Sequence, residues 1–464
     1  MVRDHARRQR VGDGAPLCAW VSFADPHHPF DAPVPWSLLH DPRDVDLPPE
    51  RRRDLERRSW RHRAALENVP GGTPETRRIR QEYSRMEMPD DDALRAVIAN
   101  YYGMVSLDRP SGGLHPERVA RRGGWPTTRW SSSPPDHGEW LGDHGLMLKG
   151  PMFYEGLLRV GLLAQGPGVP AGRVVNDPVS TLDLAATFGD YAGTSIEAAA
   201  HSRSLRPLIE GQPGATREHA LNEWRLGTRA AAWHRSARGA HAHRQADAGV
   251  GSGAGELYDL ANDPHESENR FDDPACRGLR DELTQRLHSR PADIAPQFAE
   301  PVGRPDRTRG PTVNITACNN LVVMTDEQDG LAGCAGHPWH TPHMDALAAR
   351  GTRCQRLHAI AHLRAGARRL RHRALGAPDR LLGQRHGLRR PRARLGPGAA
   401  GRRPKAVESI GKLHYVNETA PTGFDRQQLP LHLAEGVGQV WGSVRDPMPD
   451  APRGSSLFRR TGAG

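Results

Sequence analysis

Apolar and polar positions along this chain fall into short blocks with two different periods. The run "LCAWVSFA" over 17–24 is nearly continuous in apolar residues and passes into the polar turn "DPHHPF", the pattern of a buried strand that ends at a loop. Residues 92–107, "DALRAVIANYYGMVSL", place Leu94, Val97, Ile98, Tyr101 and Val105 at helical spacing behind a start rich in Asp, which predicts an amphipathic helix. A second strand is expected over 157–168 and closes at Gly-Pro-Gly. A helix over 180–193 follows, with Ser180 as its hydroxyl cap and Asp183 three residues on, the spacing of a capping box. "ELYDLANDPHESENR" (256–270) reads as a short strand and an Asx-Pro turn, and 277–288 as an amphipathic helix. "NNLVVMTDEQD" (319–329) reads as a third strand ending in acids. Residues 341–351 read as a helix capped by Thr341, with Pro342 at its first position and Gly351 past its end.

Strands alternating with helices predict an α/β fold, a mostly parallel sheet with helices on both faces. Two stretches, 109–135 and 361–404, break the pattern. Both are rich in Arg, Gly and Pro, have no sustained apolar period and predict no buried face. "PVGRPDRTRGP" (301–311) has the composition of a linker. The expected organisation is a first part over 1–300, a linker at 301–312 and a second part over 313–464, with 362–404 expected to be disordered.

Charge alters this picture only locally. The chain carries a net +10, but the block from His362 to Lys405 alone holds thirteen Arg, one Lys and one Asp, a net +13, so the rest is slightly acidic at −3. An Arg-rich block can bind phosphate backbones without specificity. It has no aromatic interleaving, and a specific nucleic-acid partner is not expected. Five cysteines (Cys18, Cys276, Cys318, Cys334, Cys354) form no C-x-x-C and no paired framework, the usage of a reducing compartment. No apolar run approaches the roughly 20 residues of a membrane span and no apolar leader follows Met1. The expectation is a cytoplasmic protein without a membrane partner.

The chemistry-bearing residues cluster at the predicted strand ends, where α/β proteins bind ligands. Asp326 and the pair Asp136-His137 offer hard oxygen donors and an imidazole, a set suited to Ca²⁺, Mg²⁺ or Mn²⁺. Each is also what an ordinary turn or cap supplies. In "SIGKLHYVN" (409–417) Lys412 and His414 are separated by one residue and would face the same side of a strand, a pair able to grip an oxyanion or to form a solvated edge. Lys149, Glu155 and Arg159 could form a solvated helix face with ordinary salt bridges.

Taken together, "SFADPHHPF", "DHGEWLGDHGLMLKGPMFYEGLLRVGLL", "LYDLANDPHESEN", "NNLVVMTDEQDGLAGCAGHPWHTPHMDALAARGTR" and "SIGKLHYVNETAPTGF" resemble the sulfatase family of the alkaline-phosphatase-like superfamily. The resemblance covers about 15–108, 136–300, 313–360 and 405–460. It implies an α/β/α sandwich with a smaller C-terminal-type subdomain, and hydrolysis of a small-molecule sulfate ester. By that resemblance Asp326, Glu327, Asp136 and His137 ligate one divalent ion, Ca²⁺ first with Mn²⁺ or Mg²⁺ as alternatives. His27, Lys149, Lys412 and His414 contact the ester. The family nucleophile is a hydrated formylglycine made from Cys or Ser in a C/S-x-P-x-R motif.

Two features depart from the family. Its N-terminal elements, Asp326 and then Lys412 and His414, here follow its C-terminal "LYDL", a permuted order. No C/S-x-P-x-R occurs anywhere in the chain. Reading degenerate codons for 361–374 one base later permits P-I-C-V-P-A-R, which contains the motif. The same shift over 125–135 permits an apolar strand leading into Asp136. Two shifts of reading frame would account for both broken stretches, and the expectation is a sulfatase-family chain with impaired turnover. Alternatives are a metal- or anion-binding remnant without catalysis, a phosphoester hydrolase of the same superfamily, and an Arg-rich nucleic-acid binder.

Overall fold

A computed structural model of the chain describes residues 17–49, 90–107, 129–193, 202–225, 233–238, 244–249, 255–288, 319–358, 406–412 and 426–431, apart from 24, 29, 134, 150–151, 216–219, 326–327, 329–332 and 338–340. The linker at 301–312 and the Arg-rich stretch at 362–404 lie outside the described residues.

Nine strands form one sheet. They are β1 (Leu17–Ser22), β2 (Arg129–Ser133), β3 (Arg159–Gln165), β4 (Arg173–Val175), β5 (Val179–Ser180), β10 (Asn319–Met324), β11 (Thr352–His358), β12 (Ala406–Lys412) and β13 (Arg426–Leu431). The order is β13-β12-β1-β10-β2-β3-β11-β4, with β5 also pairing β11. β12, β1, β10 and β2 run parallel, as do β13 with β12 and β4 and β5 with β11. β3 is antiparallel to both its neighbours, β2 and β11. The α/β class with a mostly parallel sheet is what the alternating pattern predicts. Strands from the two ends of the chain interleave, since β10 lies between β1 and β2 and β11 lies between β3 and β4.

Helices cover both faces, and β3 shows why. Its Val160, Leu162 and Ala164 point one way, into a core shared with Trp20, Val322 and Met324. That core is closed by Leu184 and Ala185 of α3 (Asp183–Tyr191) and Leu208 and Ile209 of α4 (Arg206–Glu210). Leu163 points the other way, against Leu347 and Ala348 of α6 (Pro342–Arg350), as the period-2 alternation of a strand requires. Asp183 accepts the Ser180 N–H at 3.0 Å while the Ser180 hydroxyl accepts the Leu182 N–H at 3.2 Å. The reciprocal bonds expected around Ser180 form, but Ser180 belongs to β5, and the helix begins only at Asp183 with Leu182 at its N-cap and no side-chain cap bond. Gly351 ends α6 for a reason the sequence pattern misses. Its φ is −133°, not left-handed, and a Cβ there would lie 2.1 Å from the Ala164 carbonyl oxygen, so it serves close packing against β3.

A four-stranded antiparallel sheet follows, built of β6 (Leu221–Arg225), β7 (Trp233–Arg238), β8 (Arg244–Gly249) and β9 (Gly255–Asp259). Helix α5 (Arg277–His288) packs on it through Leu283 against Leu257. This is the smaller subdomain. Two further helices, α1 (Asp91–Leu107) and the single turn α2 (Glu155–Leu158), flank the loop that runs from β2 to β3.

One expectation fails outright. Residues 109–135 predict no strand, yet Arg129–Ser133 forms β2 inside the sheet, bonded to β10 on one side and β3 on the other. Backbone N–H and C=O groups of two flanking strands need partners whatever the sequence between them, and tertiary context overrides the poor strand propensity of "RWSSS".

Candidate functional site

The candidate site grows from the C-terminal ends of four adjacent parallel strands. β1 ends beside β10, where the Phe23 N–H donates to Met324 O at 2.8 Å. β10 continues to Thr325, which forms a parallel bridge with Pro135, and the Asp136 N–H donates to Thr325 O at 3.3 Å. Asp136 is thus seated beside the residue that precedes Asp326. β12 lies on the other side of β1 and ends at Lys412, paired through Ser22↔Gly411. Asp326, Glu327 and His414 lie outside the described residues, and of Lys412 only the backbone position is described.

Asp136 and His137 converge. Asp136 Oδ1 accepts the His137 N–H at 2.8 Å, and its Oδ2 lies 3.8 Å from His137 Nε2. The other ring nitrogen, Nδ1, is 2.8 Å from Gly138 O. A carbonyl cannot donate, so Nδ1 carries a proton, and Nε2 faces the Asp136 side. An imidazole held by a carbonyl and paired with a carboxylate oxygen is a donor set that fits a divalent cation. Among the described residues no group of three His, Cys, Asp or Glu side chains gathers as a metal cage.

Lys149 reaches the loop after β1, its Nζ 3.2 Å from His27 Nε2, while His27 Nδ1 is 2.7 Å from His28 O. One tautomer satisfies both contacts, with Nδ1–H donating to the carbonyl and Nε2 accepting from the ammonium. The His28 ring is buried and stacks on His27 at 4.2 Å, which holds the acceptor in place. Lys149, Glu155 and Arg159 do not share a helix face as the sequence allows. Lys149 is in a loop, Glu155 starts α2 and Arg159 starts β3. The left-handed Leu148 (φ 66°) and the extended Arg159 exclude one continuous helix.

The loop 136–149 is held from several sides. Gly138 approaches the Gly156 carbonyl so closely that a Cβ would lie 1.9 Å from it. Leu141, Met147 and Leu148 are buried against α1, while Trp140 and Leu146 are buried against Tyr258 of β9. His144 stacks on Tyr154 at 3.7 Å. The Glu155 N–H donates to Glu266 at 2.8 Å, tying the stretch to the turn that follows β9. Two acids, the buried Glu139 and the half-buried Asp143, sit in this loop without a role in the sequence reading. Burial pushes Glu139 up to about 7, against the backbone N–H groups and Lys149 that favour its charge, and pushes Asp143 up to about 6. Their signal was only their place inside "DHGEWLGDHG".

Cys354 is fully buried in the core beside Leu162 and Val175, and burial pushes its thiol up to about 12. A nucleophilic cysteine needs an accessible thiolate; Cys354 is a packing residue, in keeping with its lack of the Pro and Arg of the family motif. No helix among the described residues is long and apolar enough to cross a membrane.

A mostly parallel sheet with acids, imidazoles and a lysine at its strand ends defines an α/β protein with a polar ligand site. Residues 142–293 match the family described as N-sulphoglucosamine sulphohydrolase, C-terminal. The choline-sulfatase of Rhizobium meliloti (strain 1021) is 30% identical over 199 residues, 42% of this chain and 34% of that protein. The delta 4,5-hexuronate-2-O-sulfatase of Bacteroides thetaiotaomicron is 30% identical over 149 residues, 30% of each chain. Among solved structures, the phosphonate monoester hydrolase of Agrobacterium radiobacter aligns with a TM-score of 0.45 at 23% identity, covering 62% of this chain and 59% of that one. Over the matched residues the chain is similar to the sulfatase family. It spans about a third of the length of these two curated relatives.

Proposed function

We propose that this chain carries a sulfate-ester hydrolase site of the sulfatase type, built at the strand ends and deprived of its nucleophile. Asp136 and His137, with Asp326 and Glu327, would hold one divalent ion, Ca²⁺ before Mn²⁺ or Mg²⁺. Such an ion, when bound, draws charge from the oxygens of the transferring SO₃ group. Lys149 is a compact cation for a sulfate oxygen, and His27 fixes its position by accepting from it. Lys412 and His414 would approach from the end of β12. The substrate class is a small-molecule sulfate ester.

The observation that carries this reading is the contact of Asp136 with Thr325, because Thr325 is the residue that precedes Asp326 in the chain. The family resemblance adds the chemistry. The absence of a C/S-x-P-x-R motif removes the covalent route, and losing a nucleophile typically lowers turnover by several orders of magnitude.

The test is a pair of measurements on the purified full chain. Titration with Mn²⁺ by electron paramagnetic resonance should show one site, weakened by Asp136→Asn about tenfold or more. An aryl sulfate offered with Ca²⁺ or Mn²⁺ should show little or no turnover. Robust turnover would overturn the impairment, and an Mn²⁺ titration indistinguishable from buffer would overturn the metal site.

A further inference from the structure

Within one loop, three residues that are not glycine adopt left-handed backbone: Leu141 (φ 48°), His144 (φ 54°) and Leu148 (φ 66°). Each costs on the order of 1–2 kcal/mol against the ordinary right-handed conformation, so the surroundings must over-determine the shape. A buried carboxylate does this at two of the three. Glu139 Oε1 accepts the N–H of Leu141 at 3.3 Å and also the N–H of Leu148. Its Oε2 is buried and has no hydrogen-bond partner among the described residues, so the backbone contacts of the carboxylate run through Oε1. The same loop is closed by the Trp140 N–H to Leu148 O at 3.3 Å and the Gly142 N–H to Leu146 O at 2.8 Å. Leu141 and Leu148 are both buried beneath α1. Lys149 follows Leu148 directly and meets His27 Nε2 at 3.2 Å.

We propose that Glu139 is a positioning residue, a clamp on the Leu141 and Leu148 amides that delivers Lys149 to His27. The clamp sets where Lys149 stands between the Asp136-His137 end of the loop and the loop after β1. That Lys149 then grips a sulfate ester rests on the function proposed above. The clamp itself does not, and it is testable without substrate or metal.

The chain has only three lysines, Lys149, Lys405 and Lys412, so competitive acetylation read by mass spectrometry resolves each one. Glu139→Ala should raise the labelling of Lys149 about tenfold relative to Lys405, as local opening of the loop becomes easier. Glu139→Gln keeps a carbonyl oxygen for the two N–H donors and should label as the parent does. Glu139→Asp falls short of them and should label like the Ala variant. Unchanged Lys149 labelling in a folded Ala variant overturns the clamp, as does an equal rise at all three lysines, which reports global loosening. Should the Ala variant fail to fold, the Gln and Asp variants decide: parent-like Gln with reactive Asp supports the clamp, and the reverse order overturns it. Absence of Mn²⁺ binding in the parent chain with normal Lys149 protection would count against the functional reading and leave the clamp standing.

Discussion

Asp143 shows how much a single residue in this loop depends on burial. Its folded pKa of about 6 lies above the ordinary 3.8, and desolvation is the cause. The folded chain therefore keeps a proton over a pH range in which the unfolded chain has released it. The carboxyl costs the fold nothing below pH about 3.8 and progressively more as pH rises to about 6, after which the penalty is constant. Replacing it by Asn removes that slope. Asp143→Asn should match the parent near pH 4 and exceed it in stability by about 1–3 kcal/mol at pH 8, as read from urea unfolding at both pH values. A variant no more stable than the parent at pH 8 would show that the carboxylate has a partner worth keeping. The same reasoning explains what could be read from sequence here. Asp136, His137, Lys149 and His27 announce themselves by residue type at strand ends, while Glu139 and Asp143 are ordinary acids in a polar loop until packing buries them.

At the level of elements, β3 carries the argument. Its sequence "RVGLLAQ" has apolar residues on both faces, and the structure gives each face its own helices. Leu162 is fully buried between the sheet and α3 and α4. Leu162→Ala should cost about 2–5 kcal/mol, the range for emptying a closed core site, as measured by urea denaturation. A loss under about 1 kcal/mol would mean the helices collapse onto the gap, which a rigid sheet does not permit. β2 makes the complementary point. Nothing in "RWSSS" predicts an interior strand, and the position is set by two neighbours with unsatisfied edges. Likewise Gly351 looks like a helix stop and serves instead to admit the Ala164 carbonyl. Periodicity finds elements that carry their own apolar signal, and it misses those that are recruited by others.

Among the described residues the larger sheet is interleaved. β10, β11, β12 and β13 come from the part after residue 313, and each inner strand among them touches strands from the part before 300. Each part alone would leave strand edges and the core around Trp20, Leu162, Val322 and Met324 exposed. A protease site placed within 301–311 should therefore yield two fragments that co-elute as one species and separate only in denaturant. Fragments that part on gel filtration in native buffer would show that each half closes its own core. Register across this sheet depends on which strands are adjacent and not on the order in which the chain visits them.

Sequence alone determined the α/β class, most of the long helices, and the residue types available for chemistry, because period and residue type are local properties that no fold can alter. It also shows that the C/S-x-P-x-R pattern implied by the family resemblance does not occur in the chain. Only the tertiary structure decided that Asp136 sits beside Thr325, that Lys149 meets His27 across 122 positions, and that Glu139 turns inward. These are contacts between distant segments, and they exist because burying two faces of one sheet left those loops no other place to go.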